Sequence, residues 1–339
     1  MASRRGGAPS RIDTTAARAI QMYDEMSDTQ PGRQTGEVRD LLRGQWVEVR
    51  SAAEIAATLD AEGRLDGLPF MPEMARFCGR RLKVFRRADK TCVEGYGLRR
   101  MSDTVLLEES RCDGAAHDGC ERNCMMFWKT AWLKPADLAP SKPVIGVPAN
   151  DLPALPTRDG GRYVCQSTAL GEATAPLSKF DLGHLVTDLR RGEITAPRLA
   201  DIVLRTALNL LRRKLGLSEF EGLRGPGSIR RRRRLNLQAG DWVRVKPAAE
   251  IAATLDADGK NLGLAFEPEM SRYAGGVFQV EFPVRKIIQE ETGLMSVLNG
   301  TVALRGLACQ GICVRNCPRS NTLYWRESWL ERVAPQSDL

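Results

Sequence analysis

Alternating apolar and polar residues predict that the first folded segment of the chain is mostly β. Val47 and Val49 alternate with polar neighbours directly after a glycine turn, which is the pattern of a half-buried strand. The next apolar residues have helical spacing and predict a short helix that ends before Gly63. Further strands are expected around residues 82–84 and 105–107. The helical positions are Ala53, Ile55, Ala56 and Leu59.

This pattern occurs twice in the chain. Residues 44–80 align without gaps with residues 240–276, and 23 of these 37 positions are identical. The likeness continues through a T-V-x-L strand and ends in a W-x-x-x-W-L motif. A repeat of about 95 residues is long enough to fold around its own small core, so we expect two copies of one module. All six tryptophans fall in matched pairs: Trp46 with Trp242, Trp128 with Trp325 and Trp132 with Trp329.

We expect an α+β protein in which two small, mostly-β modules are joined by a helical linker. An apolar stripe opposite several arginines predicts a linker helix over Pro197–Leu215, preceded by a shorter helix, and a further helix is expected at Thr14–Met26. The predicted regions are a disordered basic start with its helix (1–40), module A (41–137), a Pro-rich and helical linker with an arginine run (138–235) and module B (236–335).

The motifs that the two copies share also carry a family resemblance. Each copy reads W-V-x-V, then G-L-x-F-x-P-E-M, then a cysteine-bearing loop and [F/Y]-W-[K/R]-x-x-W-L, and the linker contains Y-V-C-Q-S-T. With these motifs the chain resembles a group of uncharacterised bacterial proteins that carry tandem copies of this module. The resemblance implies no established activity. The opening strand, G-[D/Q]-W-V-x-V, is similar to those of small SH3-like or KOW-like barrels, which implies an SH3-like barrel for each module.

Composition and charge narrow the possible partners. The 339 residues are 42% hydrophobic and carry a formal net charge of +8, so the chain can bury cores and favours acidic partners such as nucleic acid or an anionic membrane surface. A protein partner is compatible with the same surface. No apolar run approaches the ~18 residues of a membrane span, and the basic first residues lack an apolar segment behind them. We therefore expect a protein in the cytoplasm or peripheral to the membrane, and the family resemblance implies a bacterial one.

Nine cysteines without an export signal favour metal binding over disulfides, because a reducing compartment is then expected. The cysteines form two sets when Arg122-Asn123-Cys124 is aligned with Arg315-Asn316-Cys317. Cys92 has no counterpart in module B, since Ile288 stands there. The set predicted for module A is Cys92, Cys112, Cys120 and Cys124. The set predicted for module B is Cys309, Cys313 and Cys317, with Cys165 as the candidate fourth ligand.

Four thiolates can close a tetrahedral zinc site, and sulfur ligands also suit an iron–sulfur cluster. The spacing differs from the usual C-x2-C pairs, and His117 could replace one thiol or face solvent. If Cys165 does not reach module B, that site keeps an open position, as catalytic zinc sites do. Packing as small hydrophobes is the alternative for all the cysteines, and it is the reading preferred for Cys78. Disulfides are a further alternative in an oxidising compartment.

Three functions follow from these features. The first is a non-enzymatic, zinc-stapled binding or scaffold protein. The second is nucleic-acid or anion binding by the arginine run, for which a solvated linker is the plain alternative. The third is an enzyme with an iron–sulfur cluster or an open zinc site, with no catalytic residue assigned. The arginine run consists of Arg230, Arg231, Arg232, Arg233 and Arg234.

Catalytic motifs give little support to the third function. The chain contains no H-E-x-x-H, G-x-S-x-G or P-loop sequence, and it has only two histidines. His184 is expected to be a structural histidine. Several charged residues are repeated in both modules, and we expect them to cap helices or to pair locally rather than to act in catalysis. They are Asp60 and Asp256, Glu73 and Glu269, and Arg76 and Arg272.

Overall fold

The computed structural model describes residues 41–136, 152, 155–178, 181–217, 220, 222–226, 234–312 and 314–334. The helix predicted at Thr14–Met26, four arginines of the run (230–233) and Cys313 lie outside the described residues. No helix in the described part of the chain is both long and apolar enough to cross a membrane.

Module A is built on a five-stranded antiparallel sheet in the order β8-β7-β4-β1-β9. Helix α1 is shorter than expected, although Ser51 and Glu54 cap it reciprocally. The 3-10 helices are Pro72–Phe77 and Thr130–Trp132. The elements are β1 (Trp46–Val49), α1 (Ala52–Ala56), β2 (Arg64–Leu65), β3 (Leu68–Pro69), β4 (Arg81–Arg87), β5 (Lys90–Val93), β6 (Gly97–Arg100), β7 (Thr104–Arg111), β8 (Met125–Lys129) and β9 (Leu133–Pro135).

Most of the Pro-rich start of the linker (137–151, 153 and 154) lies outside the described residues, and the part that follows, residues 155–178, folds onto module A. Strand β12 pairs with β6 and extends the hairpin formed by β5 and β6. The two predicted linker helices are present. The longer one, α4, buries Ile202 but leaves Leu204 68% exposed. The elements are β10 (Arg158–Asp159), β11 (Arg162–Tyr163), α2 (Gln166–Ala169), β12 (Ala175–Pro176), α3 (Gly183–Arg190) and α4 (Ala196–Lys214).

Module B repeats the five-stranded antiparallel sheet of module A in the order β20-β19-β16-β13-β21. Two tandem, mostly-β modules are therefore confirmed. The 3-10 helices are Pro268–Tyr273 and Glu327–Trp329. The elements are β13 (Trp242–Val245), α5 (Ala248–Ala252), β14 (Lys260–Asn261), β15 (Leu264–Ala265), β16 (Val277–Pro283), β17 (Lys286–Ile288), β18 (Met295–Val297), β19 (Thr301–Ala308), β20 (Thr322–Arg326) and β21 (Leu330–Arg332).

Matched aromatic side chains form the centre of each core. In module A, Phe70 packs edge-on against Trp132 with ring centroids 5.3 Å apart, and in module B Phe266 packs on Trp329 at 5.2 Å. Each phenylalanine also meets a second tryptophan at 6.3 Å. Such edge-to-face pairs stabilise a core beyond the area that they bury. Two of the three tryptophan pairs, Trp128 with Trp325 and Trp132 with Trp329, are thus core residues, whereas Trp46 and Trp242 are half-buried.

Candidate functional site

The cysteine loops of the two modules fold around the same tight turn. Gly114 in module A and Gly311 in module B have positive φ values of 65° and 68°. A Cβ atom at Gly114 would lie 2.1 Å from the carbonyl oxygen of Cys120, and one at Gly311 would lie 2.2 Å from that of Cys317. Only glycine fits so close to another backbone segment. Cys120 and Cys317 are therefore structural equivalents.

This equivalence corrects the alignment on which the predicted cysteine sets depend. The loops have the same length between their matched strands, so Cys124 corresponds to Asn321 and not to Cys317. Cys112 and Cys309 remain equivalent. The R-N-C triplet occurs in both loops, but four residues apart in register, and this coincidence misled the sequence comparison.

Each module covers the cysteine loop of the other with a hairpin strand. The backbone N–H of Cys92 in β5 donates to Sγ of Cys317 at 3.1 Å. In the same way, the N–H of Ile288 in β17 donates to Sγ of Cys120 at 3.3 Å. Since Cys92 and Ile288 are equivalent positions, the modules meet through reciprocal contacts around an approximate twofold axis.

Two arginines repeat this reciprocity. Arg319 donates to the carbonyl oxygen of Cys92 at 3.0 Å, and its counterpart Arg122 donates to that of Ile288 at 2.9 Å. Arg319 also pairs with the buried Glu290 at 2.6 Å. Burial acts to raise the pKa of Glu290, but the Arg319 guanidinium outweighs it and the pKa is lowered. The interface therefore contains a buried charge pair that is neutralised locally.

The structure exchanges the two cysteines predicted as fourth ligands. Cys92 contacts module B through Cys317, although it was assigned to module A. Cys165, assigned to module B, lies with the module A thiols because the linker folds back onto module A. Four thiols line one cavity of about 30 Å³, which is room for a single ion or water molecule. They belong to Cys112, Cys120, Cys124 and Cys165.

Burial keeps most of these thiols protonated. It raises the pKa of Cys112 and Cys120 above the ordinary thiol range, and that of Cys165 to about 11. The thiols of Cys92 and Cys317 behave differently, because a hydrogen bond from the Cys92 thiol lowers the pKa of Cys317 and raises that of Cys92. A metal ion would have to displace protons from the thiols that line the small cavity, so its binding would depend on pH.

Among the residues that the structure describes, no group of three or more His, Cys, Asp or Glu side chains is arranged to hold a metal ion. Cys313 lies outside that part of the chain, and aligned by length it falls opposite Ala116. The donor chemistry around the small cavity is that of a four-thiolate zinc site.

His117 neither replaces a cysteine at a metal site nor faces solvent. Its ring is buried, with Nδ1 2.6 Å from Oε1 of Glu73 and Nε2 2.9 Å from the carbonyl oxygen of Val164. Both partners accept, so both ring nitrogens donate and the imidazole is charged. Burial acts to lower the pKa of His117, but the hydrogen bond to Glu73 outweighs it and the pKa is raised. His117 clips the linker onto module A.

Gln166 is the principal contact residue that sequence reasoning missed. Its buried carboxamide accepts from the N–H of Phe127 at 2.8 Å and donates to the carbonyl oxygen of Phe127 at 2.8 Å. It also donates to the carbonyl oxygen of Pro69 at 3.2 Å. The Y-V-C-Q-S-T motif drew attention to the segment, but its partners are backbone groups that leave no signature in the sequence.

Among the remaining candidate residues, the aspartates act within their own turns, whereas Arg76 contacts the cysteine loop of module A on both sides of Cys112, at Asp113 and at the carbonyl oxygen of Arg111. Asp60 and Asp256 accept backbone N–H groups within their own turns. His184 lies 2.9 Å from Nζ of Lys90, and burial followed by the Lys90 charge lowers its pKa to about 4. Arg234, the described member of the arginine run, is exposed.

No family model, no curated protein and no solved structure matches this chain. The assignment of a function therefore depends on the geometry described above.

Proposed function

We propose that the protein is a non-enzymatic scaffold whose two modules are stapled by structural zinc. The observation that carries this proposal is the convergence of four thiols on one small cavity, three from the β7–β8 loop and one from the linker. The first site would use Cys112, Cys120, Cys124 and Cys165. The second would use Cys92, Cys309, Cys313 and Cys317.

Zinc would join thiols that are otherwise not bonded to one another. The backbone N–H of Cys112 donates to the carbonyl oxygen of Cys124 at 2.9 Å, and Sγ of Cys124 lies 3.4 Å from Oγ of Ser167. Four thiolates around one ion would replace buried, protonated thiols by a closed tetrahedral site. The first site would fasten the linker to module A. The second would fasten the β5 hairpin to module B.

We further propose that each module is an SH3-like barrel. Its five main strands follow one another along the sheet, except that the last returns beside the first after a 3-10 turn. That order, with a curled sheet around two buried tryptophans, is the arrangement expected of such barrels. Small barrels of this kind often gain stability from a bound metal.

Zinc content of the purified full chain tests the proposal. We expect about two zinc ions per chain for the wild type, because each four-cysteine set closes one site. Cys165→Ser and Cys92→Ser should each lose about one. Cys78→Ala is the matched control and should retain both, since Cys78 is buried in the core and Ala274 occupies its place in module B.

Double variants test the grouping. Cys92→Ser with Cys124→Ser should lose both ions, because the two residues belong to different sites. Loss of only one ion would return Cys92 to module A. Unchanged zinc in every serine variant, or no zinc in the wild type, would contradict the proposal. A brown protein that contains iron and sulfide would show that an iron–sulfur cluster, and not zinc, occupies the sites.

A further inference from the structure

A cavity of about 480 Å³ opens in module B at the edge strand β20. Its floor is formed by residues of β15 and the adjoining 3-10 helix, and its far wall includes Cys92 and Glu94 of module A. A cavity of this size is large enough for a ligand or a short peptide segment. The module B residues that line it include Lys260, Gly263, Ala265, Asn321 and Tyr324.

The same place in module A is filled by the linker. Gln166 pairs with the backbone of Phe127 and Pro69, which are the equivalents of Tyr324 and Ala265. Six residues further on, Glu172 forms an ion pair of 2.6 Å with Arg64, the equivalent of Lys260. Residues 164–174 thus occupy a groove whose counterpart in module B is open.

Two glycines report this difference directly. Gly67 and Gly263 are equivalent and have similar positive φ values of 74° and 81°. A Cβ atom at Gly67 would meet the backbone of Glu172 and Ala173 at 3.3 Å. A Cβ atom at Gly263 would meet nothing within 4 Å. No described residue of this chain therefore occupies that part of the module B groove.

The open groove presents hydrogen-bonding groups in the register that module A uses. Ala303 pairs with Tyr324 as Leu106 pairs with Phe127. Because the N–H and C=O of Phe127 bond to Gln166 and not to β7, the equivalent groups of Tyr324 point away from β19 at the sheet edge. In addition, Oδ1 of Asn321 is buried and has no hydrogen-bond partner, and Asn321 lines the same cavity. In module A the equivalent residue, Cys124, faces the hydroxyl of Ser167.

We propose that this groove binds a short peptide segment of a partner protein with the chemistry of residues 164–174. Its glutamine carboxamide would pair with the N–H and C=O of Tyr324, and the hydroxyl group of the next residue would donate to Asn321. An acidic residue six positions after the glutamine would pair with Lys260. The inference builds on the proposed scaffold role and gives that role a partner, but it does not depend on the metal.

Module B lacks several contacts that hold the segment in module A, because Ser296 stands where Arg99 donates three hydrogen bonds to Gly171 and Thr174. Val314 stands where His117 clips the carbonyl oxygen of Val164, so a bound peptide would lose that hydrogen bond. Binding between separate molecules also costs the entropy that the covalent linker avoids. We therefore expect a dissociation constant on the order of 10–100 µM for a peptide of this length.

A synthetic peptide that copies residues 162–174 is the probe, titrated into the reduced full-length protein and followed by fluorescence anisotropy. Saturable binding in that range is expected. A peptide with alanine at the Gln166 position should bind at least about tenfold more weakly, since it loses hydrogen bonds to groups that stay buried. Equal binding of both peptides would overturn the proposal.

A charge reversal locates the binding. Lys260→Glu should weaken the peptide about fivefold to tenfold, and a peptide with lysine at the Glu172 position should restore binding to that variant. Arg305→Glu is the matched control, because Arg305 is an exposed module B residue that does not line the cavity, and it should leave binding unchanged. Lack of rescue, or an equal effect of both protein variants, would overturn the assigned groove.

Two further results separate this inference from other occupants and from the metal. If the protein alone forms dimers that excess peptide dissociates, the occupant is a second copy and the partner proposal is wrong. Peptide binding by a wild-type protein that contains no zinc would remove the zinc staple and keep this inference. Full zinc content without peptide binding would do the reverse.

Discussion

Modules A and B share a sheet and an aromatic core, but they differ in what completes them. The buried core of module A includes Leu170 and Ala173 from the linker, whereas the buried core residues described for module B lie within 237–330, with Leu223 and Leu235 of the linker packed at its periphery. Module A satisfies Nε1 of Trp128 with Ser110 at 2.6 Å, while the buried Nε1 of Trp325 has no hydrogen-bond partner. Among the described residues, the groove of module A is thus closed by the linker and that of module B is left open.

The shared core should respond equally in both modules, and this is the largest expected effect. Phe70→Ala and Phe266→Ala should each lower the free energy of unfolding by about 3–5 kcal/mol, because each removes a buried ring between two tryptophans. Urea unfolding monitored by tryptophan fluorescence measures both. Val297→Ala, at a side chain 73% exposed, is the control and should change little. If only one of the two variants loses unfolding free energy, the two cores are not equivalent.

The second comparison concerns the buried clip that only module A has. His117→Val copies module B at this position and leaves Glu73 buried without its partner, so we expect a loss of about 2–4 kcal/mol at neutral pH. The pKa of His117 is raised, so the clip stabilises fully below the ordinary histidine pKa of 6.5 and weakens as pH rises through the folded value. The pKa of Glu73 is lowered, so its contribution is present above 4.5 and fades as pH falls through the folded value.

Hydrogen exchange of residues 164–174 between pH 6 and 10, corrected for the intrinsic exchange rate, measures this clip. Protection should fall towards alkaline pH in the wild type, and the variant should lose that dependence. If His117→Val keeps both the protection and its pH dependence, then the clip does not hold the linker.

The smallest expected effect concerns the tryptophan hydrogen bond. Ser110→Ala leaves Nε1 of Trp128 without a partner, as Nε1 of Trp325 already is, and should cost about 1–2 kcal/mol in thermal or urea unfolding. Ser328→Ala is the matched control, because the buried hydroxyl of Ser328 has no partner to lose. Equal costs for the two serines would show that this bond does not distinguish the modules.

The sequence predicts the modules well because a duplication is visible residue by residue. Paired tryptophans, the W-V-x-V strand and the two linker helices all appear where the pattern places them. The grouping of the cysteines could not be predicted in the same way. It depends on Cys92 crossing to the other module and on Cys165 folding back, and neither contact repeats in the sequence. The groove that holds Gln166 could not be predicted either, because its hydrogen bonds are made by backbone groups, which are present whatever the side chain.

The reciprocal contacts between the hairpin strands and the cysteine loops also limit when the two modules can meet during synthesis. Cys92 and Cys317 are separated by 225 positions, and Cys120 and Ile288 by 168. At roughly 5–20 residues per second, Cys92 leaves the ribosome on the order of 10–45 s before its partner is made. A chain that stops before residue 317 therefore lacks the acceptor for the backbone N–H of Cys92, so the contact between the two modules can form only late in synthesis.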